Sequence, residues 1–143
     1  MRFLNFIIFP LLIIVFYACD EKDDNPTIES IGELTGSWLL YERGYSPGGE
    51  YIVEAVPPTP PQILIFEEEE MSSSVSGFED FKFYEVSIDT VTRTEFLALY
   101  KNKPSLQDDK SSPTYLFDIA GDTLKLHFRY CIEGCHLAFR RIK

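Results

Sequence analysis

Tyr115-Leu116-Phe117-Asp118-Ile119-Ala120-Gly121-Asp122-Thr123-Leu124-Lys125-Leu126-His127-Phe128 alternates, turns and alternates back. Tyr115, Phe117 and Ile119 share one face of a first strand. Leu124, Leu126 and Phe128 share one face of a second, and Gly121-Asp122 between them has hairpin-turn chemistry. Downstream, another hairpin runs through Ile132-Glu133-Gly134 to Leu137, Phe139 and Arg141. Upstream, Trp38 and Leu40 share a face, Glu50 to Val56 follows a Gly48-Gly49 turn, Ile63 to Met71 is a strand apolar on both faces up to Phe66 and charged on both after it, and Phe81, Phe83, Tyr84, Val86 and Ile88 offer apolar residues to both faces. Pro57-Pro58-Thr59-Pro60-Pro61 stops the strand before it, because each proline removes a ladder donor. Ser72 to Gly77 reads as a turn or the start of a returning strand, and Thr94 to Tyr100 as a strand or one to two helical turns. Lys101 to Pro113 is the longest polar loop. No long stretch keeps the spacing of an amphipathic helix, so the chain reads as all-β from near Glu33 onward.

Seven or eight antiparallel strands joined by short loops must close or split to hide their edges. A small up-and-down barrel and a two-sheet sandwich are the candidates. A chain of 143 residues with 45% hydrophobic content supplies one packed core. Its 13 Lys+Arg against 23 Asp+Glu give a net charge of −10, which argues against nucleic acid as a partner and against adsorption to anionic lipid.

Leu34-Thr35-Gly36-Ser37-Trp38-Leu39-Leu40 resembles the Gly-x-Trp motif that opens the first strand of lipocalins and lipocalin-like domains. Phe139-Arg140-Arg141-Ile142 resembles the last strand of that family, where an arginine lies over the tryptophan and closes the barrel base; Arg141 is the first choice for it and Arg140 the second. The hairpin quoted above looks like the penultimate one of small lipocalin-like lipoproteins, with a Gly-Asp turn followed by Leu-x-Leu. The resemblance covers residues 33–143 as a pattern, with Gly36, Trp38, Arg140 and Arg141 as its structural residues, and implies a calycin barrel. Two departures stand out: the chain has no long C-terminal helix, and Pro57 to Pro61 interrupts the region of regular early hairpins.

Ahead of the domain, Arg2 is followed by an apolar run from Leu4 to Tyr17, broken only by Asn5 and Pro10 and short for a bilayer span. Tyr17-Ala18-Cys19 resembles the lipobox of bacterial lipoproteins, with Phe16 in place of the usual Leu. That likeness implies a signal peptide over 1–18 and acylation of Cys19. Asp20-Glu21-Lys22-Asp23-Asp24 reads either as a solvated tether or, through Lys22-Asp23-Asp24, as similar to the export signal of surface-exposed lipoproteins in Gram-negative anaerobes. Asp20 would mean inner-membrane retention under enterobacterial rules. The organisation expected is signal peptide 1–18, lipidated acidic tether 19–32 and barrel 33–143, held at the outer membrane and surface-exposed.

In that oxidising compartment Cys131 and Cys135, four positions apart around Gly134, are expected to form a structural disulfide. Zinc would need His127, Cys131, Cys135 and His136 to converge, and the alternation sets His127 opposite Leu126 and Phe128. A redox pair ordinarily has two intervening residues, not three. Glu67-Glu68-Glu69-Glu70 points to both faces of a strand and cannot converge on calcium alone. Asp108-Asp109 and Asp118 with Asp122 read as loop and turn residues. No nucleophile elbow, phosphate loop or catalytic constellation is present, so no enzyme, cofactor or metal is expected.

Two functions fit such a chain. One is a membrane-anchored binding module whose barrel interior, lined by Phe66, Phe83, Tyr84, Tyr115, Phe117 and Phe128, takes a small hydrophobic or aromatic ligand. The other is a non-catalytic surface or accessory lipoprotein with a filled barrel, meeting an envelope protein partner through loops such as Tyr45 to Tyr51 or Lys101 to Pro113.

Overall fold

The computed structural model describes residues 33–104, 112–131 and 134–143. The segment expected to be signal peptide and tether, with Cys19 and Lys22-Asp23-Asp24, lies outside the described residues, as do Asp108 and Asp109. Nine strands follow in order: β1 Gly36–Tyr45, β2 Ile52–Ala55, β3 Ile63–Glu67, β4 Glu70–Ser73, β5 Phe83–Ile88, β6 Glu95–Tyr100, β7 Thr114–Ala120, β8 Thr123–Phe128 and β9 His136–Ile142. All pair antiparallel with their neighbours, and β9 returns to β1, so β1 and β3 to β9 close an eight-stranded barrel. The fold is the all-β up-and-down barrel, and the sandwich is excluded.

The ninth strand, β2, is a consequence of the proline run. Glu42 pairs with Ala55 and Leu39 with Ile63, so three steps back along β1 match eight steps forward along the other chain. Five residues are looped out, the length of Pro57 to Pro61. β2 and β3 are therefore one stave interrupted by prolines that cannot donate to the ladder. The ladder holds on both sides of the excursion, through Val56 N–H to Tyr41 O and Leu40 N–H to Gln62 O.

One expectation is corrected and one pair of alternatives is decided. The strand expected over Ile63 to Met71 is a hairpin that turns at Glu68-Glu69, with Glu68 at φ 43°. Four consecutive like charges, all exposed, meet at the bend, where Glu67 ends β3 and pairs with Glu70 at the start of β4. Residues 95–100 are strand and not helical turns, because Leu97 and Leu99 face inward between β5 and β7. The β7–β8 turn is as read: Gly121 takes φ +60° at the first central position, as a type II′ turn requires.

The core fills the end of the barrel where β1 begins. Trp38, Leu64, Phe66, Leu97, Leu99, Leu124 and Phe139 are fully buried there, and each contributes roughly 1.5–3 kcal/mol by leaving water. Phe66 meets Tyr84 edge-on with ring centres 4.9 Å apart. The Trp38 indole N–H donates to Leu34 O at 2.8 Å, and the Arg141 guanidinium carbon stands 4.1 Å from the centre of the indole ring. Arg141 also donates to Thr35 O at 2.8 Å and to Glu33 O. A Cβ on Gly36 would come within 2.9 Å of that guanidinium, and Gly36 sits at φ +127°, so the glycine makes room for the arginine. Arg140 faces outward instead, 5.2 Å from the Tyr41 ring.

Candidate functional site at the barrel mouth

At the opposite end the barrel is not filled. A cavity of about 520 Å³ opens there, within the range of small-molecule sites. Leu40 and Leu126, both fully buried, lie at its inner limit, while Val75, Tyr115, Phe128 and Leu137 line its sides. Val75 and Phe78 belong to the segment joining β4 to β5, which leaves the sheet after Ser73 and folds across the mouth. Its Phe78 ring centre lies 5.5 Å from that of Tyr115. The same segment is tied at the rim by Ser74, whose hydroxyl donates to Pro61 O and accepts from the Ile63 N–H. Burial pushes the Tyr115 phenol up to about 12, a mark of the low polarity around it.

The polar groups of the mouth come from β1 and β2, and a bulge puts them there. Along the β1–β9 ladder Leu40 pairs with Phe139 and Glu42 with Ala138, so Tyr41 is an extra residue and the pleat changes phase. Below the bulge the even positions Trp38 and Leu40 face inward. Above it Arg43, paired with inward Leu137, and Tyr45 line the cavity. The Tyr45 hydroxyl donates to Glu54 Oε1 at 2.7 Å, and that bond raises the Tyr45 pKa. Among the described residues no carboxylate stands within ion-pair distance of Arg43, although Glu54 is its cross-strand neighbour.

On the outer wall beside the rim, His136 is buried. Its Nε2 lies 3.0 Å from Glu42 Oε1 and its Nδ1 contacts the Tyr51 hydroxyl, while His127 stands with its ring centre 5.8 Å away. A Cβ on Gly44 would overlap both the Tyr51 hydroxyl and the His136 ring, so the absent side chain forms their seat. Burial lowers the His127 pKa, with His136 and Lys125 acting in the same direction and Asp118 against them. Cys131 and Cys135 form the expected disulfide, with Cys135 at the edge of the cavity. Their sulfurs are therefore bonded to each other, and among the described residues no cluster of three or more His, Cys, Asp or Glu is placed to hold a metal.

The six aromatics expected to line the interior separate into three groups. Tyr115 and Phe128 line the cavity. Phe66 and Tyr84 are buried in the filled end, and Phe117 packs half-buried against the same core. Phe83 is the correction: it sits beside Tyr84 on β5 and so takes the opposite face, where it borders an open acidic depression with Glu67 to Glu70. Lys103 pairs with Glu69 there at 3.2 Å. Sequence reading missed Arg43 and Glu54, and named Tyr45 only as the start of a candidate partner-binding loop. The one signal for them was the shift of large side chains from even positions, Trp38 and Leu40, to odd ones at Tyr41 and Tyr45. Compared with known proteins, the chain matches no family model, no curated protein and no solved structure.

Proposed function

We propose that this chain is a lipid-anchored, lipocalin-like envelope protein that binds a small hydrophobic or aromatic ligand in the mouth of its barrel. The observation that carries the reading is the cavity of about 520 Å³ between Leu40, Val75, Tyr115, Leu126, Phe128 and Leu137, above a filled base. The anchor rests on Tyr17-Ala18-Cys19, and exposure on the outer face of the outer membrane rests on Lys22-Asp23-Asp24. The family assignment rests on Gly36, Trp38 and Arg141, which meet at the base as an opening and a closing strand of such a barrel would. No catalytic group is assigned.

The test is the intact mass of the full chain recovered from its host membrane, under native and denaturing conditions. A discrete extra mass that appears only under native conditions, and is lost in Ser76→Trp at the exposed rim, is the expected result. A bare native mass in the wild type would overturn the binding reading. A second reading, an accessory protein meeting an envelope partner, is favoured by β2, which among the described residues pairs with β1 alone and whose Ile52 and Val53, with Tyr51 just before it, are 36%, 52% and 42% exposed.

A further inference from the structure

Of the nine described strands, β2 alone has no buried residue: Ile52, Val53, Glu54 and Ala55 are all exposed. It takes nothing from the core, and both of its connections lie outside the ladder. Gly48 and Gly49 precede it, Gly48 at φ +96° and neither with an atom within 4 Å of where a Cβ would stand. Pro57 to Pro61 follow it and cut it off from β3. Three sets of bonds hold it in place. Its backbone pairs with β1 from Glu42–Ala55 to Tyr45–Ile52, and Glu54 accepts from the Tyr45 hydroxyl at 2.7 Å. The third is Tyr51, whose hydroxyl reaches across β1, over Gly44, to Nδ1 of His136 on β9. Glu42 orients that contact: an ionised carboxylate only accepts, so it takes the Nε2–H of neutral His136 at 3.0 Å and leaves Nδ1 to accept from the phenol.

β1 keeps its place without β2, because on its other side Glu42, Arg43 and Gly44 pair with Ala138, Leu137 and His136 of β9. The cavity, in contrast, is walled by Glu54 of β2 beside Arg43, Gly44 and Tyr45 of β1. We infer that β2 is a side gate: it swings off β1 as a unit about Val56, opens the cavity through the barrel wall, and is latched shut by Tyr51 on His136. Val56 is the hinge because it is buried and its N–H stays bonded to Tyr41 O. A strand without core contacts opens at far lower cost than the whole barrel. What the gate admits rests on the binding reading above; that it opens does not.

Amide hydrogen exchange, read residue by residue by NMR on the full chain in nonionic-detergent micelles, tests the gate. Antiparallel pairing alternates the direction of the N–H groups. With Val56 bonded to Tyr41, the amides of Arg43 and Tyr45 face Glu54 and Ile52 of β2, whereas those of Glu42 and Gly44 face β9. Ile52, Glu54, Arg43 and Tyr45 are therefore expected to exchange together, at least about a hundredfold faster than Glu42, Gly44 and Trp38. Tyr51→Phe is expected to speed those four about fivefold further, the worth of one ordinary hydrogen bond, and to leave Glu42 and Trp38 within about twofold. It should also raise the association and dissociation rates of 2-naphthol, an uncharged aromatic probe followed by stopped flow, by that same factor, with affinity unchanged. Four amides as protected as Trp38, or Glu42 and Gly44 exchanging along with them, would overturn the gate, and no effect of Tyr51→Phe on exchange would overturn the latch. Unchanged probe rates in a variant whose four amides do speed up would overturn entry through the wall. If wild type binds no 2-naphthol, the binding reading and the entry route fail together, and the exchange pattern alone decides whether β2 opens.

Discussion

Replacing Arg141 by alanine tests the account of the barrel base. Arg141 donates to Thr35 O at 2.8 Å and to Glu33 O, and its guanidinium carbon stands 4.1 Å from the centre of the Trp38 ring. Hydrogen bonds from a charged donor contribute roughly 1.5–3 kcal/mol each when shielded. Solvent reaches these, so about 0.5–1 kcal/mol each is the appropriate figure. The stacking on the indole adds about 1 kcal/mol. Arg141→Ala is therefore expected to cost about 2–3 kcal/mol, and Arg141→Lys, which keeps the charge and loses the fork, about half of that. Arg140→Ala, which removes an outward contact at 5.2 Å from Tyr41, is expected to cost less than about 0.5 kcal/mol. Urea unfolding followed by tryptophan emission measures all three, because Trp38 is the only tryptophan and lies under the substituted side chain. A loss below about 1 kcal/mol for Arg141→Ala, or equal losses at 140 and 141, would refute the assignment of the arginine that closes the base.

Gly44→Ala places a methyl group where the Tyr51 hydroxyl and the His136 ring now sit, and about 1–3 kcal/mol of destabilisation is expected in the same urea assay. An unchanged midpoint would mean that these side chains do not occupy that seat. His127 has a folded-state pKa below its ordinary 6.5, through burial first and then His136 and Lys125, so below that range the unfolded chain binds more protons than the folded one. Its contribution is intact above about pH 6.5 and is lost as pH falls through the depressed value; a His127→Gln variant should show a flatter decline of the urea midpoint between about pH 7 and 5, and parallel curves would sink this origin.

The sequence made the strands legible where alternation was clean. Tyr115 to Phe128 reads as a hairpin because every inward position is apolar and the turn residues permit one geometry. Closure was legible only through the two ends, since neither composition nor period distinguishes a barrel from a sandwich. The hairpin at Glu68-Glu69 was not legible, because its turn carries no glycine, proline or asparagine and its strands are short. The site was half legible. Tyr115 and Phe128 follow from the pleat, whereas Arg43 and Tyr45 depend on one extra residue in β1 that reverses the inward parity. A bulge leaves no composition signal when the inserted residue is as strand-forming as tyrosine. Phe83 shows the converse error, in which two adjacent aromatics are both assigned to an interior that alternation allows only one of them to enter.

The two ends of β1 divide the work of the barrel. Trp38 pairs with Arg141 at the base and Arg43 with Leu137 at the mouth, five residues apart along one strand. At roughly 3.3 Å per residue that separates them by about 15 Å once the bulge is allowed for. Substitutions that far apart with no shared partner add independently. The base holds the large fully buried side chains and so carries the stability; the mouth gives up that packing to leave space. Arg141→Ala is thus expected to lower stability by the amount given above, and Arg43→Gln at the mouth by less than about 0.5 kcal/mol. If the two losses in stability fail to add in the double variant, the base and the mouth are one cooperative core, and the filled and open halves of this barrel are not separable.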